Sequence, residues 1–321
     1  MIRASRSILL VLVAATLMGS ISALAIAAKD DKADRPSVYT LPGQTVYPEG
    51  IALDPRSGAF YVSSTTDGTI FRGNVRRRAL APMAPGGNDG RTTATGLADD
   101  GHGLLYVAGA GTGKAFVLST SDGATMRVLD SQPGASPTFV NDVALAPGYA
   151  YFTDSLRPVI LRASRRPDEI GELQPWLDLT GTPFAYREGF NANGIVSLAG
   201  GRLLVVVQSN TGKLFRIDTR SRSVSEIDLG GVTVTNGDGL VAKGDRLYVV
   251  RNAVDQIVEL QLLRDGHGAR LVRRIHSAAL MFPTTAAFDG ERLLLVNAQF
   301  DKRTAGQPPV LPFTVAAVAL P

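Results

Sequence analysis

A chain of 321 residues that is 45% apolar and has no cysteine can bury a sizeable core but cannot form a disulfide, so its fold must rest on packing or on bound ions. The formal charge is +4 and falls to +2 once Arg3 and Arg6, the only charged residues before Lys29, are set aside. That near balance, with basic runs such as 74–78 and 163–167 isolated from one another, argues against the electrostatic footprint that nucleic-acid binding requires.

Arg3 and Arg6 precede an apolar run from Ile8 to Met18, and small residues follow through Ala28. This is the pattern of a secretory signal peptide over 1–28, since the run falls short of the roughly 20 apolar residues of a spanning helix. Ala23-Leu24-Ala25 and Ala25-Ile26-Ala27 both suit a signal peptidase. The expectation is a secreted or extracytoplasmic protein with no integral membrane segment after cleavage, its mature domain running from 36 to 321.

A lone strand, "SVYTLP" (37–42), comes next, and after it one phrase recurs six times. In chain order the copies open on "PEGIALD", "ATGLADD", "FVNDVALA", "NANGIVSLA", "TNGDGLVAK" and "FPTTAAFD", each followed by a second apolar run such as "AFYVSS", "LLVVVQ" or "RLYVV". Equivalent second-run positions are Tyr61, Tyr106, Tyr151, Leu204, Tyr248 and Leu294, at intervals of 44 to 53 residues. That period belongs to propeller blades or helical arrays, and short β-rich runs separated by Gly, Asp-Gly and Thr-Gly decide for strands. A third strand ("TIFRG", "KLFRI", "QIVEL") and an outer one ("TMRVLD", "SVSEIDL", "ARLVRRI") complete each blade, except that the sixth copy is one strand short. The fold class is therefore all-β, a six-bladed β-propeller in which the N-terminal strand closes the ring as the outer strand of the last blade.

Residues leading into the inner strands converge on the central channel of a propeller although they lie far apart in sequence. Here they are Glu49, Thr95, Asn141, Asn193, Asp238 and Thr284. Any one Asn-Gly or Asp-Gly pair alone reads as a turn, but four carboxylate or carboxamide side chains in one shared register read as a cation site. With oxygen donors only, the site suits a hard cation, Ca2+ before other divalent ions. Asp142, next to Asn141, points to the other face of its strand and falls behind the ligands.

The pairs Glu49-Gly50, Asn141-Asp142, Asn193-Gly194 and Asp238-Gly239, spread over blades one, three, four and five, resemble the senescence marker protein, gluconolactonase and regucalcin family, with diisopropylfluorophosphatase and the paraoxonases as more distant relatives. The resemblance implies a catalytic calcium held by Glu49, Asn141, Asn193 and Asp238, with Asp238 as nucleophile or activator of water. It also exposes two departures. Members that hydrolyse sugar-acid lactones carry an arginine where this chain has Phe139, and paraoxonase-like members carry a histidine where it has Thr95, so the implied substrate is more apolar than a sugar acid.

The other features are bland. His102, His267 and His276 fall in a turn signal or on an outer strand, Trp176 reads as packing on an outer strand, and "GAGTGK" (109–114) is a hairpin turn rather than a phosphate loop. "FAYREGFN" (184–191) is a candidate lid, with Phe184, Tyr186, Arg187 or Phe190 over the channel mouth. The leading expectation is a monomeric, calcium-dependent hydrolase of lactones or related esters acting on a small molecule, with a phosphotriesterase as a variant. The alternative is a non-catalytic propeller that serves as a scaffold or sensor.

Overall fold

Runs such as "LLVVVQ" are apolar at consecutive positions, which suits a strand covered on both faces. The computed structural model, which describes residues 35–320 apart from 135, 167 and 168, arranges them in that way. The predicted signal peptide lies outside the described residues.

After β1 (Val38–Leu41), the first blade consists of β2 (Pro48–Leu53), β3 (Ala59–Ser64), β4 (Ile70–Asn74) and β5 (Arg77–Ala84). The second contains β6 (Leu97–Asp99), β7 (Leu104–Ala108), β8 (Lys114–Ser119) and β9 (Thr125–Asp130). The third contains β10 (Val140–Ala146), β11 (Tyr149–Asp154) and β12 (Val159–Arg166), with β13 (Glu169–Ile170) and β14 (Gln174–Asp178) both pairing with β12. The fourth runs through β15 (Ala192–Leu198), β16 (Leu203–Gln208), β17 (Lys213–Asp218) and β18 (Val224–Glu226). The fifth runs through β19 (Gly237–Lys243), β20 (Arg246–Arg251), β21 (Gln256–Leu262) and β22 (Ala269–His276). The last has β23 (Pro283–Asp289), β24 (Arg292–Asn297) and β25 (Phe313–Ala319), and a short helix, α1 (Phe300–Thr304), lies between β24 and β25.

The missing strand of the sixth blade is β1. It pairs antiparallel with β25, Tyr39 opposite Val315 and Leu41 opposite Phe313, so the two ends of the described chain close the ring. Arg292 ties this seam by donating to the Pro36 carbonyl (3.0 Å) and the Tyr39 hydroxyl (3.2 Å), and Asp289 accepts from both Arg35 and Arg292.

The core is not one ball but a set of layers between neighbouring blades. Tyr61 and Ile70 of the first blade pack with Leu105 and Phe116 of the second, and Tyr151 and Ile160 of the third pack with Leu204 and Phe215 of the fourth. The last layer joins Leu294 and Phe313 of the sixth blade to Phe60 and Phe71 of the first. Each inner blade face is thus buried against the next, and the inner strands line the central channel. Among the described residues no helix is long and apolar enough to cross a membrane.

Candidate functional site at the channel mouth

The residues expected to lead into the inner strands lie within them in five blades. Ladder pairing skips two residues between Pro48 and Ile51, Val140 and Val143, Ala192 and Ile195, Gly237 and Leu240, and Pro283 and Ala286. Each skip is a β-bulge, a device that re-aims a side chain out of the pleat. Glu49, Asn141, Asn193, Asp238 and Thr284 are the first residues of these bulges. Turn chemistry is therefore not the reason for the following glycines. A Cβ on Gly50 would lie 2.2 Å from the Thr95 carbonyl oxygen, one on Gly194 2.3 Å from that of Asp238, and one on Gly239 2.4 Å from Cβ of Thr285. Glycine lets adjacent inner strands approach around the axis.

Glu49, Thr95, Asn141, Asn193 and Asp238 all line one cavity of about 640 Å³. Thr284 does not, because its hydroxyl is turned to the Glu49 carbonyl (2.7 Å) and its side chain is fully buried, tying the sixth blade to the first. Thr95 reaches the cavity but spends its hydroxyl proton on backbone carbonyls, those of Val140 (3.1 Å) and Ala108 (3.3 Å).

The two asparagines are oriented by serines. The Ser155 hydroxyl donates to the Ala192 carbonyl (2.6 Å), so it can only accept from Asn141, whose Nδ2 lies 2.8 Å away. Ser209 repeats the arrangement, donating to the Gly237 carbonyl while accepting from Asn193 Nδ2 at 3.0 Å. Both carboxamide oxygens are thereby left for the axis. Asn252 Nδ2 donates to Asp238 Oδ2 (2.9 Å). Asn141 Oδ1 and Glu49 Oε2 are buried without any hydrogen-bond partner.

Burial dominates the electrostatics. It raises the Glu49 carboxyl well above its ordinary value, and the nearby charges of Asp238 and Asp142 push in the same direction. Asp238 is pushed up to about 7, first by burial, against the hydrogen bond from Asn252 and with the charge of Asp142 adding to the rise. Asp142, the second bulge residue of β10, lines a separate cavity of about 320 Å³ further down the channel. Its carboxylate accepts from the backbone of Val143 (2.8 Å) and Ile195 (3.0 Å), and burial still brings its pKa to about 7.

Among the described residues no three His, Cys, Asp or Glu side chains gather in a metal cluster, and none of these three carboxyls has an ion-pair partner. The convergent donors are two carboxylates and two oriented carboxamides, a set that fits a hard cation. Buried acceptors without donors are costly, and a cation is the partner that would satisfy them all.

At the mouth, Phe139 and Phe190 line the cavity and meet edge to face, ring centroids 4.9 Å apart. Phe190 is the part of the expected lid that reaches it. Phe184 is buried, stacked on Phe215, and Tyr186 turns inward to donate to the Asp154 carbonyl (2.5 Å). Arg187 is held through its backbone by Asn191, so neither Tyr186 nor Arg187 lines the cavity. The opposite rim comes from α1, whose Phe300, Arg303 and Thr304 all line the cavity.

No protein-family model matches the sequence, and no curated protein matches it. Solved structures do. The Malassezia sympodialis allergen Mala s 1 is 14% identical with a TM-score of 0.63, covering 88% of this chain and 96% of its own. A luciferin-regenerating enzyme is 12% identical with a TM-score of 0.60, covering 88% and 94%. Virginiamycin B lyase from Staphylococcus aureus is 13% identical with a TM-score of 0.54, covering 88% and 98%. The likeness is one of fold. An allergen, a regenerating enzyme and a lyase share the architecture, so the chemistry must be argued from this chain's own channel.

Two groups of site residues escaped the sequence reading. Thr65, Ser155, Ser209 and Asn252 each follow the second-strand residue paired with the residue ahead of the bulge, a fixed register that an alignment of second strands would have exposed. Arg303 and Phe300 lie in a segment outside the repeat and carried no signal. Of the other sequence features, the 109–114 turn lines the cavity through Ala110 and Gly111, whereas Trp176 packs edge-on against Tyr151, and His102, His267 and His276 are exposed and do not line it.

Proposed function

We propose that this protein is a calcium-dependent hydrolase of lactones or related esters whose substrates are more apolar than sugar acids. The observation that carries the reading is the convergence of Glu49, Asn141, Asn193 and Asp238 on one cavity, two of their oxygens buried without partners. Calcium, when bound, would neutralise the carboxylates and supply the Lewis acidity that polarises an acyl or phosphoryl oxygen. Asp238 is the carboxylate for nucleophilic attack or proton abstraction from water, with Asn252 pinning its Oδ2. Ser155 and Ser209 keep the asparagine oxygens aimed at the axis before any substrate arrives, so no reorganisation is needed on binding. Phe139 and Phe190 offer an apolar wall where a sugar-binding site would need polar groups.

A scaffold or sensor would be expected to close its channel over a satisfied ion. The cavity above the quartet and the inward turn of Tyr186 favour a site open to a small molecule. Export rests on the pattern of residues 1–28, and a monomer remains the simplest assembly.

Calorimetric titration of calcium into the metal-free mature protein, with Asp238→Asn alongside, tests the reading. One tight site in the wild type that the variant lacks, followed by turnover in a lactone and ester screen, supports it. If the wild type takes up no divalent cation, the hydrolase proposal fails and the scaffold reading replaces it.

A further inference from the structure

Among the described residues that line the mouth cavity, Arg303 is the only cationic side chain. Its guanidinium lies over the Tyr47 ring, 5.3 Å from the centroid, and Nη1 donates to Thr65 Oγ1 at 3.2 Å. Among the described residues it has no carboxylate partner, so most of its five donors are uncommitted there. The neighbouring groups on that rim are neutral, including Thr65, Thr93 and Thr304.

The segment that presents it is built to hold position. Gln299, buried at the start of the excursion between β24 and β25, donates to the Val310 carbonyl (2.9 Å) and accepts from the Val310 amide (2.7 Å), clasping the two ends of the loop. Phe300 packs edge-on against Phe282, and Lys302 reaches Gln307 rather than the cavity. In a ring of six blades the sixth faces the third, so Arg303 stands across the mouth from the Phe139 and Phe190 pair.

We infer that the mouth selects an apolar ester or lactone that also carries a carboxylate, with Arg303 receiving the carboxylate and Phe139 and Phe190 receiving the apolar body. This rests on the hydrolase reading for the reacting group but on Arg303 alone for the charge. A planar guanidinium with free donors matches a carboxylate in two-pronged geometry, and its placement over the Tyr47 ring holds it at the rim beforehand. A cavity of this size takes a molecule long enough to span the two rims. Arg303 is here a specificity residue and takes no part in bond breaking.

The test has a binding arm and a kinetic arm, both on the calcium-loaded mature protein. Calorimetry compares 3-phenylpropionate with its neutral amide in the wild type, Arg303→Gln and Arg303→Lys. The expected result is at least tenfold tighter binding of the carboxylate in the wild type, loss of that preference in Arg303→Gln, and partial retention in Arg303→Lys. Kinetics compares phenyl acetate with 4-acetoxybenzoate, where Arg303→Gln should raise KM for the anionic ester at least tenfold with kcat little changed, and leave the neutral ester unaffected. Undetectable carboxylate binding by the wild type, or the same preference in Arg303→Gln, overturns the inference. If no ester or lactone is turned over while the preference depends on Arg303, the hydrolase reading fails and the anion site stands. Turnover that is equal for both esters in the wild type and Arg303→Gln sinks the anion site and leaves the hydrolase reading intact.

Discussion

Removing divalent cations should make the folded protein less stable at pH 8 than at pH 5. Glu49, Asp142 and Asp238 are buried carboxyls whose first cause of perturbation is burial, and it brings Asp142 and Asp238 to about 7. A carboxyl raised in the folded state holds its proton more tightly there than in the unfolded chain. Its stability contribution is therefore complete below the unfolded pKa, near 4, and is lost as pH rises through the folded value. For Asp142 the gap runs from the ordinary 3.8 to about 7, and the part of it that lies above pH 5 amounts to about 3 kcal/mol at about 1.4 kcal/mol per pH unit. The charges of Asp142 and Asp238 also act on Glu49, so the three titrate as a set, and about 3 kcal/mol is the order of the effect across this window. At roughly 2–4 °C per kcal/mol for a large domain, the metal-free melting temperature should fall by about 10 °C between pH 5 and pH 8. Asp218, lowered to about 2 chiefly by the Ser221 backbone hydrogen bond, loses its contribution only as pH falls below about 4, outside this window. Calcium should reverse the trend, stabilising strongly at pH 8 and weakly at pH 5, where protons compete for its ligands. Circular-dichroism melts of exhaustively dialysed protein, with and without added calcium, read both effects. A metal-free melting temperature that rises from pH 5 to pH 8, or a calcium increment equal at both ends, would refute the account.

Asp238→Asn should cost on the order of 10³-fold in turnover while the melting temperature of the metal-free protein at pH 8 rises, because a buried charge has been removed; a full-activity variant contradicts the role given to Asp238. Ser155→Ala removes the acceptor that orients Asn141 and should weaken calcium binding about 10–100-fold by calorimetry, as loss of a ligand's support usually does. Gly194→Ala places a Cβ 2.3 Å from the Asp238 carbonyl oxygen and should destabilise by about 1–3 kcal/mol in denaturant melts, whereas Gly200→Ala, with nothing within 4 Å, tests instead the cost of its left-handed φ of 64°.

The blade count, the closing strand and the convergent quartet were legible because each follows from a repeat, and a repeat multiplies a weak local signal. Tyr61, Tyr106, Tyr151 and Tyr248 recur as buried residues of the second strands, so their register exposed the inner strands too. The bulges were not legible. Asn193-Gly194 looks the same whether glycine serves a left-handed turn or a close approach of strands, and only the distance from Gly194 to the neighbouring strand separates the two. The lid was half legible. "FAYREGFN" is rich in aromatics, but whether Tyr186 turns in toward Asp154 or out over the channel depends on a backbone path that composition does not encode.

The distribution of glycine around the ring says where the protein departs from its own symmetry. The position that follows the channel residue is Gly50, Gly96, Gly194 and Gly239 in four blades, but Asp142 and Thr285 in the third and sixth. Glycine is what packing alone demands there, since every added Cβ at those four positions meets the next blade within 2.2–2.3 Å. A carboxylate at the equivalent place in the third blade is therefore not explained by close packing. Asp142 fills the space beside Gly96, where a Cβ would meet its Oδ1 at 2.2 Å, and it faces the channel from the same bulge that turns Asn141 to the mouth. One bulge thus presents a neutral carboxamide upward and an acid downward. Two backbone amides and, below about pH 7, a bound proton offset part of the cost of burying that acid; a cation at the mouth would offset more, which would tie the lower channel to the occupancy of that site.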